Sequence, residues 1–248
     1  RNATGGANRV RRFLQSAAHA HGATARESST GAWHFDFTEA PEALREALPN
    51  LAFDARFELP IQDGERYLSR THPIVEGAAS YVMDTALDEH LVGPAKRAGV
   101  IRTGDVDVRT TLLLVRLRYH ITTTRDSRTW QTLAEEALPL AFEGAPRDAA
   151  WLAPELASRL FEARPSENIP DRQKPVMLQP ILDGMDQVRP HLESLAQERA
   201  LALLDAHRRV RDAASDKGRY KVDPLLPTDV LGVYVFLPDP AARSTRGA

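Results

Sequence analysis

Seven basic side chains crowd into one short stretch of this chain: Arg199, Arg208, Arg209, Arg211, Lys217, Arg219 and Lys221. His207 lies among them, against Asp205, Asp212 and Asp216. Guanidinium and ammonium groups gathered at a helix end neutralise phosphates and release their counterions. The chemistry open to this spacing is therefore contact with a DNA or RNA backbone, independent of sequence. The same pattern also suits a solvated helix end, because the dipole favours arginines near a C-terminus. Other chemistry-bearing residues are scattered. His19 and His21 close a helical pattern with no third ligand in view, and read as surface or capping histidines. Asp105 and Asp107 resemble half of a carboxylate metal site, yet stand just before a strand. Glu135 and Glu136, read on a helix, point about 100° apart and form a salt-bridging face rather than an acid/base pair.

Common signatures are missing from the chain: no G-x-x-x-x-G-K-[ST], G-x-G-x-x-G, H-E-x-x-H or G-x-S-x-G occurs. The lysines Lys96, Lys174, Lys217 and Lys221 have no glycine-rich phosphate loop beside them. Cysteine is absent, which rules out disulfides and thiolate metal sites and fits a reducing cytoplasm. The expectation is that this segment holds no catalytic residue, no metal and no cofactor. The competing reading is a stand-alone enzyme whose site is built from scattered residues such as His72, Asp105, Arg109 and His120.

The elements that must position these residues can be read from hydrophobic period. Leu68–Leu87 opens with the N-cap candidates Ser69, Thr71 and His72 followed by Pro73. It carries Val75, Ala78, Ala79, Val82 and Ala86 at helical spacing, widened by Ile74 and Tyr81. Gly77 to Ser80 are small, so another backbone can approach. Val108–Ile121 is the expected central strand, with Thr111, Leu113, Val115, Leu117, Tyr119 and Ile121 on one face. Leu112, Leu114, Arg116, Arg118 and His120 lie on the other. Asp54 and Glu58 are the expected cross-strand partners of Arg116 and Arg118. Trp33–Phe37 and Leu51–Leu59 alternate strictly and predict half-buried antiparallel strands. Helices are expected at Val10–Ala17, Pro41–Leu48, Trp130–Phe142 and Leu152–Ala163. A long helical arm over about 171–216 should start cleanly near Pro190. Tyr220–Val222 and Val230–Leu237 read as returning strands.

The fold class is therefore α+β: a mainly antiparallel sheet with packed helices and a long C-terminal helical arm that returns to a final strand. The expected organisation is an N-terminal helix and loose tail (1–31), one domain over 32–240 and a disordered tail (241–248). At 248 residues and 42% hydrophobic, the chain can bury a sizeable core. A formal charge of -2 removes any global attraction to nucleic acid or membrane. No run approaches the roughly 20 apolar residues of a membrane span, so a soluble, cytoplasmic protein with no membrane partner is expected. The opening on Arg1 and the closing ARSTRGA suggest a fragment of something longer.

Three stretches carry a family resemblance. Leu68–Leu87 has an H-P opening a helix, Ala95–Leu117 an R-T-T-L-L-L strand, and Ala134–Gly144 an A-E-E read as a helix. In that order they resemble the C-terminal accessory region of RapA-like helicases, the bacterial Swi/Snf-family ATPases. Val222–Pro238, VDPLLPTDVLGVYVFLP, is similar to the family's closing segment, so the resemblance runs from about Trp33 to Pro238. It implies a non-catalytic domain downstream of both ATPase lobes, with ATP and Mg confined to those lobes. It also implies partners: the upstream lobes of the same chain, DNA or RNA, or another protein to which the motor is coupled.

Overall fold

The computed structural model describes residues 2–88, 90, 93–125, 128–214 and 219–241, side chains at 2–5 and 210–214 excepted. The α+β class is as expected, with sheets that are antiparallel except for one pair in each. The organisation differs from the single domain over 32–240. Backbone packing divides the chain into two compact units, Arg1–Lys96 and Arg97–Ala248. The helix of Leu68–Leu87 and the strand of Val108–Ile121 belong to different units, each with its own core.

The first unit is built from α1 (Asn2–Ala20), β1 (Thr24–Glu27), β2 (Trp33–Asp36), α2 (Glu42–Ala47), β3 (Ala52–Arg56), β4 (Glu65–Tyr67) and α3 (Pro73–Leu87). Its sheet runs β1-β2-β3-β4. The period-two pattern places Phe35, Phe37, Phe53, Ala55 and Phe57 inside, where Phe35 stacks on Phe53 at 5.5 Å between ring centres. Helix α1 lays Val10, Leu14, Ala17 and Ala18 in the core and extends back to Asn2, through the segment expected to be loose. His72 caps α3, its Nδ1 accepting from the Ile74 amide at 3.2 Å, and Pro73 fills the first turn. Gly77 is where another backbone approaches: a Cβ there would fall 2.0 Å from the Ala47 carbonyl oxygen of α2. Asp54 is in the first unit's sheet and Arg116 and Arg118 are in the second unit's, so they are not cross-strand partners. Asp54 sits opposite His34, whose Nδ1 lies 2.9 Å from its carboxylate.

The second unit comprises β5 (Ala98–Thr103), β6 (Thr110–Arg125), β7 (Arg128–Glu143), β8 (Ala150–Trp151), α4 (Pro154–Arg159), β9 (Glu167–Asn168), α5 (Lys174–Asp183), α6 (Met185–Ala214) and β10 (Arg219–Pro238). The sheet order is β8-β7-β6-β10-β5-β9, so Val108–Ile121 is indeed central. Trp130–Phe142 is not a helix. It is most of β7, paired with β6 from Arg128 to Glu143 without a register shift. Ala134, Leu138 and Phe142 are spaced by four, which fits a helix face, but with Leu140 they are also one face of a strand. The neighbouring β6 decides between the two. Pro139 is tolerated because it faces the sheet's edge. Ala141 turns its carbonyl outward to the Leu152 amide at 2.8 Å, so Pro139, of the same parity, needs no N–H toward β6.

Helix α6 begins at Met185 rather than near Pro190, which lies inside it and forfeits the bond to the Asp186 carbonyl. The break falls at Gly184 instead, where a Cβ would press to 2.6 Å on the Pro146 ring. One sheet face carries Leu113, Val115, Leu117 and Tyr119 under Val188, Leu192, Ala196 and Ala200 of α6. On the other face, Leu112, Ala141 and Phe236 pack with Ala157 and Leu160 at the α4 end. Beyond them β6, β7 and β10 continue as a three-stranded antiparallel arm.

Candidate interaction surface

Among the described residues, the basic side chains singled out in the sequence fall on two different faces. They were read as a helix end, but a strand begins at Arg219. Tyr220 and Val222 turn toward α6, the first stacking on His207 at 5.9 Å and the second joining the α6 core. Alternation then sends Arg219 and Lys221 to the opposite face of the sheet. On α6, Arg208 is paired with Asp205 at 3.3 Å, and Arg199 lies 4.0 Å from Glu136. Lys221 is paired with Asp223 at 2.8 Å. Arg209 and Arg219 are exposed and have no ion pair among the described residues. The side chain of Arg211 and the whole of Lys217 lie outside the described residues.

Glu136 forms a small polar centre under α6. It accepts a 2.7 Å hydrogen bond from the Tyr119 hydroxyl, and burial together with that bond holds the phenol well above its ordinary pKa. Tyr119 therefore stays a neutral donor here. Glu135, its chain neighbour, points to the other face, so the two carboxylates diverge, as a helix would also have required.

The face away from α6 holds the denser arrangement. Arg116 and Arg118 project from alternate positions of β6, and both close on Asp229 of β10. The Arg116 Nη2 to Oδ2 distance is 3.0 Å, and the Arg118 Nε to Oδ2 distance is 3.1 Å. All three side chains remain about one-third exposed. Register adds Glu135 opposite Arg118, Leu133 opposite His120, and Asp223 opposite His120 from the other side. Leu133, on the same face, is 52% exposed. The result is a half-exposed surface of alternating charge with an apolar side chain set into it. Arg116 and Arg118 were visible as a period-two pair, but Asp229 is more than a hundred residues distant and carried no local signal.

The scattered enzyme residues each have a local structural role or partner. His72 belongs to the first unit, where it caps α3 and burial lowers its pKa. Arg109 donates to the Met177 carbonyl at 2.9 Å. Asp105 accepts from the Thr103 hydroxyl at 2.9 Å and from the Arg164 amide at 3.3 Å. A groove of about 440 Å³ holds Asp105, Asp107 and Glu143 beside Arg159. Among the described residues no group of three or more His, Asp or Glu side chains is placed to hold a metal ion. His21 Nδ1 is 2.8 Å from the Ala17 carbonyl, a capping role. No described helix is long and apolar enough to cross a membrane.

Residues 85–244, more than half of the chain and nearly all of the second unit, match the family described as Domain of unknown function (DUF8741). No curated protein matches the chain.

Proposed function

We propose that this chain, which belongs to that family of domains of unknown function, is a non-catalytic accessory domain of a RapA-like helicase motor, acting in the cytoplasm. In this reading it couples the motor to a protein partner. The observation that carries the reading is the arm of β6, β7 and β10, whose one face is packed under α6. Its other face presents Arg116, Asp229, Arg118 and Glu135 with Leu133 half-exposed between strands. Mixed charge around exposed apolar side chains is the composition of a protein-docking surface, whereas a nucleic-acid surface is predominantly basic. Arg116 and Arg118 are already held by Asp229, so a partner that matches the ladder meets oriented charges and orders few side chains on binding.

Nucleic-acid contact is the second reading, and Arg209 and Arg219 favour it, being exposed cations without a described ion pair. The two readings separate by titration. The chain is mixed with duplex DNA, single-stranded DNA and RNA at low and moderate salt, and with the ATPase lobes of a RapA-like motor, the proposed partner, prepared as a separate protein. Docking predicts a complex with the lobes that survives Arg208→Ala/Arg209→Ala. Guiding of nucleic acid predicts binding that falls steeply with salt, by nearly one unit of log–log slope per contact, and that the same double variant weakens. Binding to neither removes both readings.

A further inference from the structure

The outer edge of β7 carries a feature that docking through the sheet face does not use. β7 is paired with β6 along all 16 residues, but on its other side only Phe142 and Glu143 meet β8. Because Ala141 directs its carbonyl outward, the residues of its parity, Thr129, Gln131, Leu133, Glu135 and Ala137, also turn their N–H and C=O groups to the open edge. Arg128 to Leu133 are exposed on both faces, Trp130 to 47% and Leu133 to 52%. Open edges are usually blunted by lysine, proline, a bulge or brevity. From Thr129 to Leu138 β7 has no lysine and no proline, and its register with β6 is continuous. The other edges of this sheet are treated differently. β8 and β9 are two residues each. Beyond β5, β10 carries Pro224, Pro227 and register shifts, with Arg97 donating to the Val230 and Leu231 carbonyls.

We infer that β7 is a self-pairing edge, joining antiparallel to β7 of a second copy of this chain about a two-fold axis at Thr132. Charge selects the occupant and the register. Centring on Thr132 sets Arg128 opposite the partner's Glu136 on one face, twice by symmetry, and Trp130 opposite the small Ala134. Thr129 then exchanges main-chain hydrogen bonds with Glu135, and Gln131 with Leu133, using outward-facing groups at every step. Moving the axis to Leu133 would place Trp130 against Glu136 and Arg128 against Leu138, losing the ion pairs. Trp130, half-exposed in the single chain, becomes covered.

The chain contains no cysteine, so a single introduced thiol reports the register without background. In light scattering on the purified chain, the wild type should show twice the monomer mass at high concentration and lose it on dilution. Thr132→Cys, treated with diamide, should give a disulfide-linked dimer, since two-fold related residues of a non-hydrogen-bonded pair lie close enough for a bridge. Trp130→Cys should not. Gln131→Pro removes an outward N–H as Pro139 already does, and should return the mass to the monomer with an unchanged circular dichroism spectrum. Arg128→Glu, at an exposed site that disturbs no core, should weaken association at least tenfold at low salt. Monomer mass at every concentration overturns the inference. So does a dimer that both Gln131→Pro and Arg128→Glu leave intact, or one whose Thr132→Cys form does not cross-link.

Discussion

Removing the Asp229 carboxylate tests the charge ladder on the arm. Asp229 accepts a hydrogen bond from Arg116 Nε at 3.1 Å and a long one from Arg118 Nη2 at 3.5 Å, and its Oδ2 forms ion pairs with Arg116 Nη2 at 3.0 Å and Arg118 Nε at 3.1 Å. Each half-exposed ion pair contributes about 0.5 to 1 kcal/mol, so the two together stabilise the strand pairing by roughly 1 to 2 kcal/mol. Asp229→Ala also leaves two guanidinium groups on alternate residues of one face, about 7 Å apart at ~3.4 Å per residue. Their repulsion in water-like surroundings adds about 0.6 kcal/mol. The expected cost is about 1.5 to 2.5 kcal/mol, read as a lower urea midpoint with an unchanged slope. Because the groups are partly solvated, salt should shrink the difference. In a cycle with Arg116→Ala, the coupling should be about 0.5 to 1 kcal/mol. A loss below about 0.3 kcal/mol at low salt would refute the ladder as a stabilising element.

Three further outcomes are expected. Gly77→Ala, which in an open helix gains nearly 1 kcal/mol of propensity, should instead lower the first unit's melting temperature, because the new methyl meets the Ala47 carbonyl; a higher temperature would remove the α2–α3 contact. Leu113→Asp should prevent the second unit from folding, as a buried carboxylate costs several kcal/mol, whereas Asp54→Ala, on an exposed pair with His34, should cost under about 1 kcal/mol; equal melting temperatures would contradict the core assignment. His191 stacks on Trp151 at 3.9 Å, and burial holds its pKa below the ordinary 6.5. The unfolded chain therefore takes up the proton first, and stability is lost as pH falls below about 6.5 toward the folded value. His191→Phe, which can keep the stack, should flatten that decline in thermal melts between neutral pH and mild acid. An unchanged slope would assign the loss elsewhere, His72 being the other histidine with a lowered pKa.

Local periodicity made much of this fold legible. Phe35, Phe37, Phe53 and Ala55 declared their strands by strict alternation, and His72-Pro73 marked the start of α3. Leu113, Val115 and Leu117 likewise announced the central strand. Where the sequence misled, a distant element decided. Ala134, Leu138 and Phe142 satisfy both periods, and only the pairing with β6 makes them a strand. Pro190 looked like a helix start, but the close pass of Gly184 over Pro146 sets the break six residues earlier. The candidate site was less legible. Basic residues counted along the chain looked like one patch because the change from α6 to β10 left no mark on the spacing. Asp229 was invisible as the partner of Arg116 and Arg118, since its position depends on the register of a strand formed last in the chain.

Docking of a protein on the half-exposed face of the arm is the function we propose. Calorimetric titration of the ATPase lobes of a RapA-like motor, the proposed partner, with the wild-type chain and with Arg116→Glu/Arg118→Glu tests it most directly. Saturable binding by the wild type and at least a tenfold loss in the variant are expected, with the variant still folded by circular dichroism. Equal affinity for the two proteins, or salt-sensitive DNA binding in the absence of any binding to the lobes, would contradict it.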